Sequence, residues 1–285
     1  MFRNLSPGAV GIRASFIEGM DLAKRSGFEG VDLNLGEVAR LAEEHSMGWV
    51  REQVASRGLR LGGWGLPVNW RGDEAAYQAD LEKLGPRAAL AQALDCTRCM
   101  TWILPFSETL PYPENFEFHV ARFRPIAQAL RDHGCSLGLE FIGPKTLRAG
   151  KPHEFIWDMR RMLELGQVIG TGSVGLLLDC WHWYTSGGTL PELLALRPEQ
   201  VVYVHVNDAP AGIDRDAQVD NVRAMPGETG VIDIVGFLQA LQTIGYEGPV
   251  TPEPFKKSLE SLPPAEAARV TGVSMLKIWR AAGLP

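Results

Sequence analysis

The sequence has no apolar run that approaches the roughly 18 residues of a membrane-spanning helix. Its N-terminal segment, MFRNLSPGAVGIRASF, lacks the apolar core of a signal peptide. Positive charge is not in excess, because 28 lysines and arginines stand against 34 aspartates and glutamates. A protein that binds a phosphate backbone would normally carry a basic face. We therefore expect a cytoplasmic protein with no membrane and no nucleic-acid partner.

Cysteine is also scarce, with 4 residues in a chain of 285. Cys96 and Cys99 form a lone CxxC pair, and Cys135 and Cys180 directly adjoin predicted strands. A structural zinc site needs four ligands, and a second pair is missing. We expect all four side chains to be reduced thiols that pack as small apolar groups.

Strand and helix patterns alternate along the whole chain. The strands are mostly continuous apolar runs, such as Gly175-Leu-Leu-Leu-Asp179, which is typical of parallel strands covered by helices. The predicted strands are 9–14, 30–35, 59–66, 98–104, 136–142, 174–179, 201–206 and 248–253. The predicted helices are 15–26, 48–57, 74–94, 116–133, 153–165, 191–196, 234–244 and 264–281. This pattern predicts one α/β domain over residues 1–285, a (β/α)8 TIM barrel.

Four consecutive predicted strands end in residues that bind metals. The chemistry of a TIM barrel lies at the C-terminal ends of its strands. A single carboxylate there is often a solvated rim group or a helix cap. Three carboxylates in an apolar mouth would repel one another and lose hydration unless a cation compensates them. We therefore predict one divalent metal ion, against the alternative of a structural polar ring, with these ligands: Glu140, Asp179, His205 and Glu253.

The identity of the metal and the assignment of the histidine ligand follow less directly from the sequence. Carboxylate and imidazole ligands suit Mn²⁺, Mg²⁺, Co²⁺ or Zn²⁺, and the sequence does not choose among them. Asp208 competes with His205, which we prefer because it continues the apolar alternation of its strand. His182 lies three residues past Asp179 and is interpreted as a substrate-binding residue or a support for the ligands. The other histidines are expected at the surface: His45, His119, His133 and His153.

Tryptophans stand near several strand ends. Sugar and cyclitol C–H faces pack well on aromatic rings, although tryptophans also seal barrel rims. We expect at least one of Trp64, Trp102 and Trp181 to line the substrate pocket. No glycine-rich phosphate loop is present, and no cluster of lysines or arginines follows the last two strands. We therefore expect an unphosphorylated sugar or cyclitol as the substrate.

At these residues the chain resembles the xylose-isomerase-like TIM-barrel superfamily of sugar isomerases and epimerases. The motifs are LEFIG at Glu140, GLLLDCWHWY at Asp179, VYVHVND at His205 and RAMPGETG from Arg223. The resemblance covers nearly the whole chain and is strongest over residues 137–255. It is closest to the branch that contains inosose isomerases and ketohexose 3-epimerases.

This resemblance implies roles for individual residues. The four strand-end residues would bind one divalent metal, and Glu140 and Glu253 would also act as the acid–base pair. His182 and Arg223 would contact substrate oxygens. Ketohexose epimerases carry a second glutamate six residues after the first metal ligand, where this chain has Thr146. We expect Lys145 or Arg148 to take over part of that contact with the substrate.

The expected reaction removes a proton next to a metal-bound carbonyl and passes through an enediolate. Return of the proton gives an epimer or an isomer. If a leaving group stands at the β position, the same site is a lyase or dehydratase acting on a keto-inositol or a 3-keto-glycoside, and Thr146 keeps this alternative open. Two further alternatives are an endonuclease-IV-like DNA repair enzyme, which needs extra histidines for three zinc ions, and a non-catalytic sugar-binding barrel. The family often forms dimers or tetramers, so a homodimer or homotetramer is expected.

Overall fold

The computed structural model describes all residues from 1 to 285. Its strands are β1 (Phe2–Leu5), β2 (Gly30–Val31), β3 (Arg60–Leu61), β4 (Trp64–Gly65), β5 (Arg98–Ile103), β6 (Phe106–Ser107), β7 (Ser136–Phe141), β8 (His153–Glu154), β9 (Val174–Asp179), β10 (Val201–Val206) and β11 (Pro249–Pro252). Its helices are α1 (Phe16–Arg25), α2 (Leu35–Glu44), α3 (Met47–Ser56), α4 (Glu74–Leu81), α5 (Leu84–Gln92), α6 (Tyr112–Arg131), α7 (Lys145–Arg148), α8 (Met159–Ile169), α9 (Cys180–Thr185), α10 (Leu190–Leu194), α11 (Ile234–Thr243), α12 (Lys257–Glu260) and α13 (Pro264–Ala281). None of these helices is long and apolar enough to span a membrane.

Nine strand segments form one sheet in the order β3-β2-β1-β11-β10-β9-β7-β5-β4, and each recorded pairing within it is parallel. The two end segments, β3 and β4, are halves of one strand that is interrupted at Gly62 and Gly63. One half pairs with β2 and the other with β5, so the sheet closes on itself through this strand. Nine segments thus make eight strand positions, which confirms the predicted (β/α)8 barrel.

The interruption at Gly62 and Gly63 has a steric cause. A Cβ atom on Gly62 would lie 2.5 Å from the amide of Asn4, and one on Gly63 would lie 2.9 Å from the ring of Tyr203. Both neighbours project into the barrel, where side chains must interdigitate without voids. The third strand therefore contributes backbone alone at the level where these two polar side chains meet.

The prediction of the first strand at residues 9–14 was wrong. The first strand is Phe2–Leu5, and residues 8–10 form a short 3₁₀ turn that ends at Gly11, whose φ is 74°. The run FRNL does not look like a buried parallel strand because it contains Arg3 and Asn4. Asn4 is nevertheless fully buried, since it faces polar partners inside the barrel.

The second strand is shorter than the predicted span of 30–35, because Asn34 begins α2. The side chain of Asn34 accepts a hydrogen bond from the backbone N–H of Glu37, which is the usual role of a helix N-cap. Helix α2 had not been predicted at all. The shorter strand leaves Asp32 just beyond its end, at the mouth of the barrel.

Other boundaries differ in similar ways. The predicted helix 74–94 is two helices, α4 and α5. His153 lies in β8, which pairs with β6 in a separate antiparallel ribbon, and the helix begins later, at Met159. The short helix α9 was also missed, because it starts immediately after Asp179, whose side chain caps it. All four cysteines are buried and free, as predicted.

His119 was expected at the surface, but it is buried on the inner face of α6. Its ring stacks on Phe155 at 4.6 Å and contacts Trp70 at 5.2 Å, and Nδ1 lies 2.7 Å from the carbonyl oxygen of Asn115. Burial lowers the pKa of His119 from 6.5 to about 4, and the positive charge of Arg71 adds to this effect. The ring is therefore neutral in the folded protein at neutral pH.

We expect His119 to make the protein lose stability in mild acid. The unfolded chain takes up a proton near pH 6.5 and the folded chain only near pH 4, so stability is intact above 6.5 and falls between these values. Over this interval, the titration of His119 should contribute about 3 kcal/mol to the fall in the free energy of unfolding in urea. His119→Phe should reduce the drop by about this amount, whereas the exposed His45→Phe should leave it unchanged. His182, whose pKa is also lowered by burial, contributes to the slope in both variants. Equal slopes in the two variants would contradict this assignment.

Candidate metal centre

Four side chains from four consecutive barrel strands meet at the C-terminal mouth. Glu140 stands near the end of β7, Asp179 ends β9, and His205 lies opposite Asp179 in β10. Glu253 directly follows β11 and is held by a backbone hydrogen bond to Val206. One donor atom from each of the four side chains lies within 4.8 Å of the others. The sequence had predicted this set from the strand ends alone.

The imidazole of His205 occupies the centre of this cluster. Its Nδ1 atom lies 3.3 Å from Oε2 of Glu253, 3.4 Å from Oε1 of Glu140 and 4.0 Å from Oδ2 of Asp179. Nδ1 of His205 and Oε1 of Glu140 are both buried and have no hydrogen-bond partner of normal geometry. Buried polar atoms are nearly always paired, so these two atoms are expected to bind a group that is not part of the protein chain.

The proximity of these buried ionisable groups shifts the pKa values of Glu140 and His205. Burial raises the pKa of Glu140 to about 8, and the charges of Glu253 and Asp179 oppose its ionisation further. Burial alone would lower the pKa of His205, but the carboxylates of Glu253 and Glu140 outweigh it and raise that pKa well above its usual value. A divalent cation among the four donors would remove this repulsion and satisfy both unpaired atoms. The residues present therefore fit a metal ion.

Asp179 is fixed by groups outside the cluster. Its Oδ1 accepts hydrogen bonds from the backbone N–H of Trp181 at 2.7 Å and from Nδ2 of Asn207 at 3.0 Å. Oδ2 is thereby left to face the other ligands. Sequence reasoning missed Asn207, although its place two residues after His205 puts it on the same side of the chain.

Arg223 reaches the same oxygen from the long loop after β10. Its Nη1 atom lies 2.8 Å from Oδ2 of Asp179 and 3.1 Å from Oε2 of Glu253, and its Nη2 atom pairs with Asp220. Burial lowers the pKa of Arg223, but these carboxylates outweigh it and raise the pKa above its usual value. The guanidinium therefore stays charged and neutralises part of the cluster from behind.

Asp208, the alternative to His205 as a predicted metal ligand, has a different role. Its two carboxylate oxygens accept four backbone hydrogen bonds, from Ala209, Thr229, Gly230 and Ile232. Its backbone also pairs with Ala224, the residue after Arg223. Asp208 thus organises the loop that carries Arg223, and it does not belong to the ligand cluster.

His182 lies behind Glu140 in α9. Its Nδ1 accepts a hydrogen bond from the backbone N–H of Gly143 at 3.2 Å, and its Nε2 lies 4.0 Å from Oε1 of Glu140 and 3.2 Å from Nη2 of Arg223. Burial, with the charge of Arg223, lowers the pKa of His182 to about 3, so the ring is neutral. Gly143 is required here, because a Cβ atom would lie only 2.3 Å from the carbonyl oxygen of His182.

We expect His182→Ala to damage activity without emptying the metal site. The ring packs against Glu140 and Arg223 but is not among the four clustered donors. The kcat/KM should fall by about tenfold or more, because groups that orient ligands typically matter at this level. The bound metal, measured by inductively coupled plasma mass spectrometry, should stay near that of the wild-type protein. Loss of the metal would make His182 a ligand and refute this assignment.

A cavity of about 830 Å³ opens in front of the cluster. Its wall includes Glu140, His205 and Glu253 together with Trp64 and Trp102. Trp64 and Trp102 therefore border this cavity, although Trp64 is only 1% exposed, and their contact with a substrate stays a prediction. Trp102 is 44% exposed, and the guanidinium of Arg71 stacks on its ring at 3.9 Å. This arrangement presents Trp102 as a fixed aromatic surface at the mouth of the cavity.

The other residues expected to contact the substrate do not line this cavity. Trp181 is completely buried beside Arg223, and Lys145 is exposed and pairs with Asp216 at 2.9 Å. His182 and Arg223 lie behind the ligands and are likewise absent from the cavity wall. Direct contact of these four side chains with a substrate remains a prediction, which this arrangement does not support for Trp181 and Lys145.

The curated relatives of this chain are sugar and shikimate enzymes. It is 24% identical to the inosose isomerase of Halalkalibacterium halodurans over 200 residues, which is 69% of this chain and 67% of that protein. The matches to inosose isomerases of three Bacillus species span between 45% and 49% of those proteins. A shorter match, 27% identical over 154 residues, covers 54% of this chain and 23% of the 3-dehydroshikimate dehydratase of Pseudomonas aeruginosa.

Solved structures share the fold over almost the full length. A xylose isomerase domain protein from Alicyclobacillus acidocaldarius is 30% identical, with a TM-score of 0.85 and 99% of both chains covered. The IOLI protein, solved with a bound zinc atom, is 17% identical, with a TM-score of 0.80 and 99% of both chains covered. The family model described as xylose isomerase-like TIM barrel matches residues 20–279. This chain therefore belongs to the xylose isomerase-like TIM-barrel family.

Proposed function

We propose that the protein is a divalent-metal-dependent isomerase or epimerase of an unphosphorylated keto-sugar or cyclitol such as an inosose. One observation carries this proposal. Donor atoms of Glu140, Asp179, His205 and Glu253 lie within 4.8 Å of one another, and three of these residues also line the cavity. The activity named for the inosose isomerases and the zinc named for the IOLI protein support the same class of reaction.

The four clustered residues would hold the ion, which can be Mn²⁺, Mg²⁺, Co²⁺ or Zn²⁺. When bound, it would polarise a substrate carbonyl as a Lewis acid and acidify the neighbouring C–H bond. The chain itself must then supply a base, an acid and a wall that excludes water. Trp102 provides apolar surface for the C–H face of a sugar or cyclitol ring.

Glu140 and Glu253 are the candidates for the acid and the base, and their pKa values differ in the cluster without an ion. Burial raises the pKa of Glu253, but His205 and Arg223 outweigh it and leave that pKa below its usual value. The pKa of Glu140 is raised to about 8. A bound cation would favour the ionised form of both groups, so the roles rest on position instead: the two carboxyl groups stand on strands five and eight beside the same cavity, which suits a base and an acid that act on one substrate. Glu253 would remove the proton next to the carbonyl, and Glu140 would return a proton.

A lyase or dehydratase is the second candidate, and two observations favour it. The chain matches 3-dehydroshikimate dehydratases over about half of its length. Thr146, which replaces the second glutamate of the ketohexose epimerases, donates a hydrogen bond to the backbone of Gln218 at 2.7 Å. It is thereby tied to the loop after β10, so no carboxylate from this position is available to hold a ketohexose.

A product assay separates the two candidates. The metal-loaded protein is incubated with inososes, keto-sugars, 3-keto-glycosides and 3-dehydroshikimate, and the products are identified by NMR. Our proposal expects an isomer or epimer with an unchanged molecular formula from at least one inosose or keto-sugar. Loss of water or of the aglycone from a member of the panel would instead assign the lyase reaction. No conversion of any member would refute both.

A further inference from the structure

A hydrogen-bonded group of polar side chains lies inside the barrel next to the metal centre. Nδ2 of Asn4 donates to Oδ1 of Asp32 at 2.8 Å, and it lies 2.9 Å from the hydroxyls of both Tyr203 and Thr251. The Tyr203 hydroxyl donates to the same Oδ1 of Asp32 at 2.7 Å and accepts from Thr251 at 2.6 Å. These four residues come from four neighbouring strands, and we call them the Asp32 network.

The network sits against the ligands without belonging to them. Tyr203 and Thr251 each precede a ligand by two residues, so their side chains point to the same side of the strand as His205 and Glu253. The ring of Tyr203 also packs edge-on against the ring of His205, with centroids 5.4 Å apart. The side chains of Asn4 and Tyr203 pack directly against the backbone of Gly62 and Gly63, where a Cβ atom would collide with them. The network therefore has little freedom to move.

Asp32 is the member of the network that reaches the cavity. It belongs to the same wall as Glu140, His205 and Glu253, together with Ser6 and Asn34. Both short hydrogen bonds from the network fall on its Oδ1 atom. Its Oδ2 atom accepts no bond from the other members of the network and is left for the cavity, where the Ser6 hydroxyl on the same wall also bonds to the carboxylate. Burial raises the pKa of Asp32, and the hydrogen bonds from Tyr203, Asn4 and Ser6 only partly offset this effect.

We infer that Asp32 is a specificity-determining residue that binds a hydroxyl group of the substrate through Oδ2, in a subsite on the first two strands. This inference rests on the proposed function for the class of substrate. A hydroxyl suits Oδ2 in either ionisation state, since it both donates and accepts hydrogen bonds. The Ser6 hydroxyl on the same wall offers a second contact.

The position of this subsite indicates which substrates it selects. Glu140 and Glu253 belong to strands five and eight of the barrel, whereas Asp32 follows strand two. The hydroxyl that it binds therefore lies away from the reacting carbon, on a substrate with several hydroxyl groups. A buried, preorganised polar group discriminates strongly against analogues that cannot pair with it. The subsite thus favours polyols such as cyclitols over substrates that are apolar on this side.

The test measures binding as well as turnover. Dissociation constants of a panel of inositols, inososes and their monodeoxy analogues are determined by calorimetry on the metal-loaded protein, with KM for every member that is converted. The variant is Asp32→Asn, whose Oδ1 still accepts from Tyr203 and Asn4. The control is Thr251→Val, which breaks the network without touching Asp32. Melting temperatures report whether each variant is folded.

We expect Asp32→Asn to weaken binding of the best polyol by about tenfold, because a hydrogen bond to a buried carboxyl group is replaced by a weaker one. Thr251→Val should bind within about twofold of the wild-type protein. One monodeoxy analogue should bind about tenfold more weakly than its parent to the wild-type protein. In Asp32→Asn, the analogue and its parent should bind with similar affinity, because the loss from the variant and the loss from the missing hydroxyl should not add. The comparison of the analogue with its parent on the wild-type protein needs no variant to fold.

The possible failures are distinct. Wild-type affinity in Asp32→Asn, equal losses in both variants, or no binding of any polyol would overturn the inference. If the wild-type protein converts no member of the panel, but polyol binding still depends on Asp32, then the proposed reaction fails and the hydroxyl subsite stands.

Discussion

Glu253→Gln is expected to lower kcat by about a thousandfold, because a glutamine amide cannot accept the proton that Glu253 removes. The substitution keeps the size of the side chain and one oxygen that can face the metal. The backbone N–H of residue 253 still bonds to Val206, so the local fold should persist. The measurement is steady-state kinetics on the substrate found by the product assay, with the metal content determined in parallel.

The matched control for this substitution is Glu266→Gln, which changes an exposed glutamate on α13 and should keep the wild-type kcat. If Glu253→Gln also retains wild-type kcat with its metal bound, Glu253 is a ligand only. The base must then be sought elsewhere on the cavity wall, which holds Glu140 and Asp32 as the other carboxyl groups.

Asp179→Asn is expected to weaken metal binding by about 100-fold or more, since even residues that only support a ligand commonly cost tenfold to 100-fold. Oδ1 of Asp179 is committed to Trp181 and Asn207, so the amide nitrogen of the variant takes the place of Oδ2. That nitrogen cannot ligate a cation, and it also faces the guanidinium of Arg223. Competition with a chelator of known affinity measures the change.

Asp132→Asn, a change of an exposed aspartate at the end of α6, serves as the control and should bind the metal like the wild-type protein. Unchanged metal affinity in Asp179→Asn would remove Asp179 from the ligand set. The cluster would then be an ion-paired group around Arg223 in which Asp179 has a structural role.

The barrel was predictable from sequence because most of its strands are buried on both faces. Runs such as Gly175-Leu-Leu-Leu-Asp179 can hardly be anything but central parallel strands. The same reasoning failed for Phe2–Leu5, where Asn4 interrupts the apolar pattern. The partners that make Asn4 acceptable in the interior, Tyr203 and Thr251, lie about 200 residues or more further along the chain. No local pattern records such a contact.

The four clustered residues at the barrel mouth were predictable for a related reason: each stands where an apolar run stops. Asp32 stands at such a position too, but the second strand was predicted to extend to residue 35, which placed Asp32 inside it and hid it. The capping role of Asn34, visible in the spacing from Asn34 to Glu37, would have ended that strand earlier.

The positions of some side chains could not be predicted from the sequence, because they depend on contacts with residues that are distant along the chain. Arg223 was expected to face the substrate, yet in the structure it pairs with Asp179 and Glu253 behind the cavity wall. Which carboxylate an arginine meets depends on the course of the loop after β10, and that course is set by four backbone hydrogen bonds to Asp208. The stacking of Arg71 on Trp102 is likewise a product of the fold.

The most direct test of the central claim is solvent deuterium exchange, followed by proton NMR in D₂O. With the metal-loaded wild-type protein and a bound keto-substrate, we expect the signal of the proton next to the carbonyl to disappear at least as fast as product forms. Exchange should stop when a chelator removes the ion, return when the ion is restored, and be absent with Glu253→Gln. Exchange that continues undiminished in the chelated protein, or that never occurs in the loaded one, would contradict a metal-dependent proton transfer at Glu253.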